Sequence, residues 1–169
     1  AYRSFGHATY LAKAEEIAEW IISQQSAKDG SLRHSWKNGE SYIEGLLEDY
    51  AFTAGAFTEL FAVSGNEKYL HQATTWVNYA QNHFCDSASG LFFTRSKRGE
   101  QLIAKSQETA DNVIPSANAT LARTLFKLSH YLAKPALKAQ SEKMLHQVQE
   151  RFLKYGESYY HWGGLFLYL

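Results

Sequence analysis

Two segments of this chain, "DGSLRHSWKNGE" from Asp29 and "SGLFFTRSKRGE" from Ser89, align without a gap about 60 residues apart. Gly30 matches Gly90, Lys37 matches Lys97, Gly39 matches Gly99 and Glu40 matches Glu100. Asn38-Gly39 and Arg98-Gly99 each offer the residues a tight turn favours, so each segment reads as a short β-hairpin. A repeat of this length is built from one supersecondary unit per copy, and such a unit cannot bury its apolar face alone. The elements flanking the hairpins therefore decide the fold.

Those elements are helices of two alternating kinds. Leu11, Ala14, Ile17, Ala18, Ile21 and Ile22 recur at helical spacing, with Lys13, Glu15, Glu16 and Glu19 on the other side, which is the pattern of a helix lying on a core. From Tyr50 to Val63 the residues Phe52, Ala54, Ala56, Phe57, Leu60 and Phe61 leave hardly any polar face, so this helix is enclosed by others, and Gly65 caps its end. Tyr69, Leu70, Ala73, Trp76, Val77, Ala80 and Phe84 form a second one-sided helix. Ala117, Leu121, Ala122, Leu125, Phe126 and Leu128 form a second mostly apolar one, with Pro115 expected in its first turn. Leu137, Met144, Leu145, Val148 and Phe152 form a third one-sided helix with Pro135 near its start, and "YYHWGGLFLYL" opens another apolar helix.

An outer helix, a hairpin and an inner helix thus recur about two and a half times. The fold class that follows is mainly all-α: a partial (α/α) toroid of antiparallel helix pairs with short β-hairpins between outer and inner helices. Residues 1–169 read as a single domain. The apolar "GLFLYL" run suggests an incomplete ring, a piece of a larger protein, whose uncovered inner helices would drive self-association.

Charge narrows the partners. Seventeen basic and seventeen acidic side chains cancel, so no basic footprint for nucleic acid or an anionic membrane is expected. No apolar run reaches the roughly 18 residues that span a bilayer. The single cysteine, Cys85, excludes an internal disulfide and fits a reducing compartment, which makes the cytoplasm the expected location. The seven histidines fall in no metal-binding pattern, and neither a phosphate loop nor another cofactor motif occurs.

In "LLEDYAFTAGAF", Glu48 and Asp49 stand at the mouth of the first inner helix. An acid there accepts orphan backbone N–H groups and meets the positive end of the helix dipole, so capping is the favoured role for Asp49. Glu48 or Asp111 is then the acid facing a pocket. The functional alternative needs paired carboxylates near one site, as in glycosidic chemistry, with His161 as a base titrating near neutrality. The candidate catalytic residues are accordingly Glu48, Asp49, Asp111 and His161. Arg33, His34 and Trp36 on the first hairpin, Phe93 on the second, and Tyr50 and Asn118 at the inner-helix starts are the candidate substrate contacts, although aromatic residues in short strands more often pack than bind.

"YLAKAEEIAEWI", "DGSLRHSWKNG", "LLEDYAFTAGAFTELFAVSGNEKYLHQA", "HFCDSASGLFFT" and "DNVIPSANATLARTLFKLS" together resemble the distal part of the spermatogenesis-associated protein 20-like family. The resemblance covers most of the chain in order and is strongest at "LEDYAF", "GLFFT" and Asp111, Pro115, Ser116 and Asn118, with Ala117 where the family usually has glycine. It implies a fragment of an (α/α)6 toroid related to N-acylglucosamine 2-epimerases and six-hairpin glycosidases, preceded by a thioredoxin-like domain that this sequence does not contain. The partners it implies are a carbohydrate or polyol, the rest of the toroid and that thioredoxin-like domain. Two functions follow as expectations: a carbohydrate-binding or epimerase-like segment, with Glu48, Asp49, Trp36, Asp111 and His161 gathered at one open end, or a non-catalytic scaffold, with its acids used as caps.

Overall fold

The computed structural model describes residues 1–97 and 106–169. Its elements, in chain order, are α1 (Tyr2–Phe5), α2 (Ala8–Gln24), β1 (Arg33–Lys37), β2 (Glu40–Glu44), α3 (Leu47–Ser64), α4 (Glu67–His83), α5 (Ala117–Tyr131), α6 (Pro135–Lys154), a 3-10 turn (Gly156–Ser158) and α7 (Tyr160–Phe166). α3 packs against α4 and α5, and α5 against α6 and α7. The apolar helices α3, α5 and α7 therefore form an inner row, and α2, α4 and α6 lie outside it.

Tight turns make the pairs antiparallel. Gly65 closes α3 in the left-handed conformation, φ 68°, and Asn66 caps α4 one residue later by accepting the Lys68 N–H at 3.1 Å. Pro135 opens α6 at its first position, where a missing N–H costs nothing. Pro115 does not enter the first turn of α5 as expected. Ser116 is the N-cap, its hydroxyl accepting the Ala119 N–H at 3.2 Å, and proline lies just outside, where its fixed φ suits the extended approach.

The inner row is held by close approach and aromatic packing. Gly55 of α3 faces α5 so closely that a Cβ there would lie 3.3 Å from the Thr124 hydroxyl and 3.4 Å from the Thr120 methyl. Between α3 and α4, Phe57 meets Trp76 edge to face at 4.7 Å, and Tyr50 stacks on Tyr79 at 5.1 Å. Such pairs contribute about 0.5–1.5 kcal/mol each beyond the area they bury.

The 60-residue repeat is conformational as well as sequential. Gly30 and Gly90 are both left-handed, φ 83° and 79°, and each donates its N–H back across a short turn, to Ala27 and Asp86. Bridges follow in both copies, Ser26 with Leu32 and Cys85 with Phe92. After that the copies diverge. β1 and β2 form a true hairpin, Lys37 opposite Glu40 and Arg33 opposite Glu44, around Asn38 and Gly39 with φ 54° and 85°. In the second copy the described residues form no strand pair beyond the Cys85–Phe92 bridge, and the expected turn at Arg98-Gly99 lies outside the described residues. Its two arms do meet, because Thr94 donates its N–H to the Ser106 carbonyl at 2.9 Å.

Candidate functional site

The described parts of the segments joining outer to inner helices meet at the end where α3, α5 and α7 begin, through the Leu47–Thr94 and Asp111–Ser158 backbone hydrogen bonds. There a cavity of about 290 Å³ is lined by Glu48 and Phe52 of α3, Thr94 and Arg95 of the second repeat loop, and Glu108, Asn112, Pro115 and Ser116 leading into α5. Its volume sits at the lower end of the range for small-ligand pockets, roughly 300–1,000 Å³. Glu48 and Glu108 are exposed, and among the described residues neither carboxylate makes a hydrogen bond or ion pair. An apolar floor edged by two free carboxylates and a guanidinium can accept and donate hydrogen bonds to a polyhydroxylated ligand while packing against its C–H face.

Around this cavity the other candidate residues build the frame. Asp49 is the third residue of α3, not its N-cap, and its carboxylate reaches back to accept the Leu46 N–H at 2.7 Å. It also accepts from His34 Nδ1 at 2.9 Å, which ties β1 to the start of α3. That hydrogen bond, with the charges of Asp49 and Glu48, raises the His34 pKa above its usual range against a small opposing effect of burial. The first free amide of α3, on Leu47, donates to the Thr94 carbonyl at 3.1 Å. The two repeat loops are thereby joined at the helix mouth.

Tyr50 and Asn118 perform one task in the two repeats. In the first copy the Leu32 N–H donates to the Tyr50 hydroxyl at 2.9 Å, and the Leu32 carbonyl accepts from Gly45 at 2.8 Å. Gly45 has no alternative there, because a Cβ would fall 2.8 Å from the Leu32 carbonyl oxygen. In the second copy the Asn118 side chain does both, accepting the Phe92 N–H at 2.8 Å and donating to the Phe92 carbonyl at 3.0 Å and the Glu108 carbonyl at 2.8 Å. Both residues are buried, at 1% and 0% exposure, and burial pushes the Tyr50 hydroxyl pKa up. They clasp loop backbone and line no part of the 290 Å³ cavity.

Asp111 is likewise a fastener. One carboxylate oxygen accepts the Ser116 N–H at 2.8 Å, the other accepts the His161 N–H at 2.8 Å, and its own N–H donates to the Ser158 carbonyl. It pins the entry of α5 to the entry of α7. The five residues expected together thus divide: Glu48 and Asp49 stand at the mouth of α3, Asp111 and His161 at that of α7, and Trp36 packs edge to face on Trp20 of α2 at 5.5 Å. Arg33 borders a separate cavity of about 100 Å³ with Tyr50 and Tyr79, and the Phe93 N–H donates to the Phe84 carbonyl.

The sequence reading did not single out Glu108, Arg95 or Asn112. Their signal was present: Arg95 stands in the aligned repeat opposite Ser35, and Glu108 lies three residues before Asp111. Without the fold, no spacing rule links them to Glu48. Among the described residues no group of histidine, cysteine, aspartate and glutamate could hold a metal ion, and no helix is long and apolar enough to cross a membrane.

Comparison with solved structures decides the architecture. The chain superimposes with a TM-score of 0.68 on an unsaturated glucuronyl hydrolase of Bacillus sp. GL1, at 15% identity over 88% of this chain and 42% of that one. A glycoside hydrolase family 76 mannosidase of Bacteroides thetaiotaomicron also gives 0.68, at 11% identity over 89% and 40%. The fold is that of an α/α toroid. At such identities the likeness concerns the fold alone. Among curated sequences, an uncharacterized protein of Caenorhabditis elegans is 24% identical over 159 residues, and rat spermatogenesis-associated protein 20 is 31% identical over 85 residues, half of this chain. The chain spans 21% and 11% of the lengths of these relatives, and no protein-family model matches it.

Proposed function

We propose that the cavity at the mouths of α3 and α5 is a carbohydrate-binding site, with Glu48, Glu108 and Arg95 as its polar contacts and Phe52 as its apolar face. The observation carrying this reading is that two carboxylates without hydrogen-bond or ion-pair partners among the described residues line one cavity, while the neighbouring acids Asp49 and Asp111 are engaged by backbone amides. Carboxylates left free among so many satisfied polar groups are available to a ligand's hydroxyls. The enclosing ring is completed, in this reading, by further toroid segments of a longer protein, preceded by a thioredoxin-like domain. The likeness in fold to a glucuronyl hydrolase and a mannosidase supports a sugar over other polar ligands. Fold analogy alone does not specify a reaction.

The test is titration of the full-length protein with the methyl glycosides of glucose and mannose, followed by ligand-observed NMR. Saturable binding weakened at least tenfold in the Glu48→Gln, Glu108→Gln double variant, at unchanged melting temperature, is the expected result. Absence of binding, or binding that the double variant keeps, refutes it. A non-catalytic scaffold is the second reading. It is favoured by Asp49, Asp111, Tyr50 and Asn118 all serving the frame, and no sugar binding at normal stability is what it requires.

A further inference from the structure

A groove runs down the inner row below the cavity just described. Between α3 and α5 it passes Thr58, Glu59, Thr120 and Arg123, then widens into a space of about 650 Å³ reached by Arg123, Lys127 and Arg3. Arg123 lies seven residues along α5 from Ser116, about 10 Å from the helix mouth at 1.5 Å per residue. It is therefore a different place from the site of the proposed sugar, and the observations here do not depend on that reading.

The charges in this groove do not balance. Glu59 accepts hydrogen bonds from both Arg3, at 2.6 Å, and Lys127, and although burial alone would raise its carboxyl pKa, these cations outweigh that effect and hold it low. One carboxylate thus serves two cations, and Arg123 is a third. Among the described residues the only polar partner of Arg123 is the His161 ring, with Nη1 3.1 Å from Nε2 and 3.3 Å from Nδ1. Its guanidinium lies over Gly164 of α7, where an added Cβ would meet the central carbon at 3.6 Å. Burial first, and then the charges of Arg123 and Lys127, lower the His161 pKa against the opposing pull of Asp111. The Asp111 carboxylate, whose charge also acts on the His161 ring, is engaged by the Ser116 and His161 amides. A half-buried guanidinium with one imidazole as its neighbour retains most of its five N–H donors for a planar oxyanion.

We infer that this groove is an anion-binding site in which Arg123, supported by Lys127, receives the carboxylate or phosphate group of a small ligand. The shared chemistry is a planar or tetrahedral oxyanion, and the two sources separate by experiment. The full-length protein is titrated calorimetrically with inorganic phosphate, with glucuronate and with glucose, which differs from glucuronate in lacking the charge. The same titrations are run on Arg123→Gln, Arg123→Lys and Glu48→Gln.

Saturable binding of phosphate or glucuronate that depends on Arg123 is expected, whereas any binding of glucose, at the mouth of α3, should not depend on Arg123. Whichever anion binds identifies the source. Arg123→Gln should weaken anion binding at least tenfold, and Arg123→Lys should keep part of it; phosphate, which has no sugar ring, should bind Glu48→Gln as it binds the parent. The His161 ring, observed by NMR, should titrate at higher pH once the anion offsets the charges of Arg123 and Lys127; Asp111 is the other charged group acting on it, and Glu59 lines the same groove. Arg123→Lys guards against a folding defect in the glutamine variant. Failure of both anions to bind, or equal binding by Arg123→Gln, overturns the proposal. Loss of methyl glycoside binding in the Glu48 variants with anion binding intact would separate the two sites.

Discussion

Replacing Asp111 should unfasten the inner row. Its side chain is 7% exposed and accepts two backbone N–H groups at 2.8 Å, one from Ser116 at the entry of α5 and one from His161 at the entry of α7. Hydrogen bonds to a charged acceptor are worth about 1.5–3 kcal/mol each, and an amide left buried without a partner costs about 1–3 kcal/mol. Asp111→Ala removes both bonds. Ser116 is buried and His161 only half-buried, so water can replace the second acceptor more readily than the first. The expected loss is about 3–4 kcal/mol, a large part of the roughly 5–15 kcal/mol by which a domain is stable.

Asp111→Asn keeps one oxygen as an acceptor and turns an NH2 group toward the other N–H, so it should lose one bond, about 2 kcal/mol. Urea unfolding followed by far-ultraviolet circular dichroism measures both variants against the parent, with the denaturant slope checked for constancy. The order Ala worse than Asn worse than parent is the signature of a two-pronged acceptor. An alanine variant within about 1 kcal/mol of the parent, or an asparagine variant as damaging as alanine, would show that the two contacts do not hold the helices.

Asn118→Ala should destabilise by about 2–4 kcal/mol, because three backbone groups lose their partner in a fully buried position, and unfolding in urea reports it directly. Hydrogen exchange should accelerate first at Phe92, whose N–H donates to that side chain. The His34–Asp49 pair sets a pH dependence: the folded pKa of His34 is raised, so its stabilising effect is complete below the unfolded value of about 6.5 and disappears as pH rises through the folded value. The melting temperature of the parent should therefore exceed that of His34→Gln by more at pH 5.5 than at pH 9, and equal differences at both would remove the ion pair from the account.

The sequence by itself determined the layout of this protein. Helical spacing marked α2, α4 and α6 as one-sided and α3 and α5 as nearly all apolar, and that alternation, with the 60-residue repeat, sufficed for a toroid of helix pairs because it depends only on periodicity and on turn residues such as Asn38-Gly39 and Gly65. Tertiary structure decided what the polar residues do. Tyr50 and Asn118 have the chemistry of ligand contacts, yet their donors and acceptors meet the backbone of Leu32 and Phe92 across 18 and 26 residues, a pairing that no local pattern encodes. Asp49 and Asp111 are indistinguishable from Glu48 in type, and only the fold shows that amides occupy them while Glu48 shares a cavity with Glu108. Arg123 is one more cation in the sequence until the fold sets it over Gly164 and beside His161, with Glu59 already claimed by Lys127 and Arg3. Periodicity is a property of neighbours along the chain, whereas satisfaction of charge and hydrogen bonds belongs to neighbours in space.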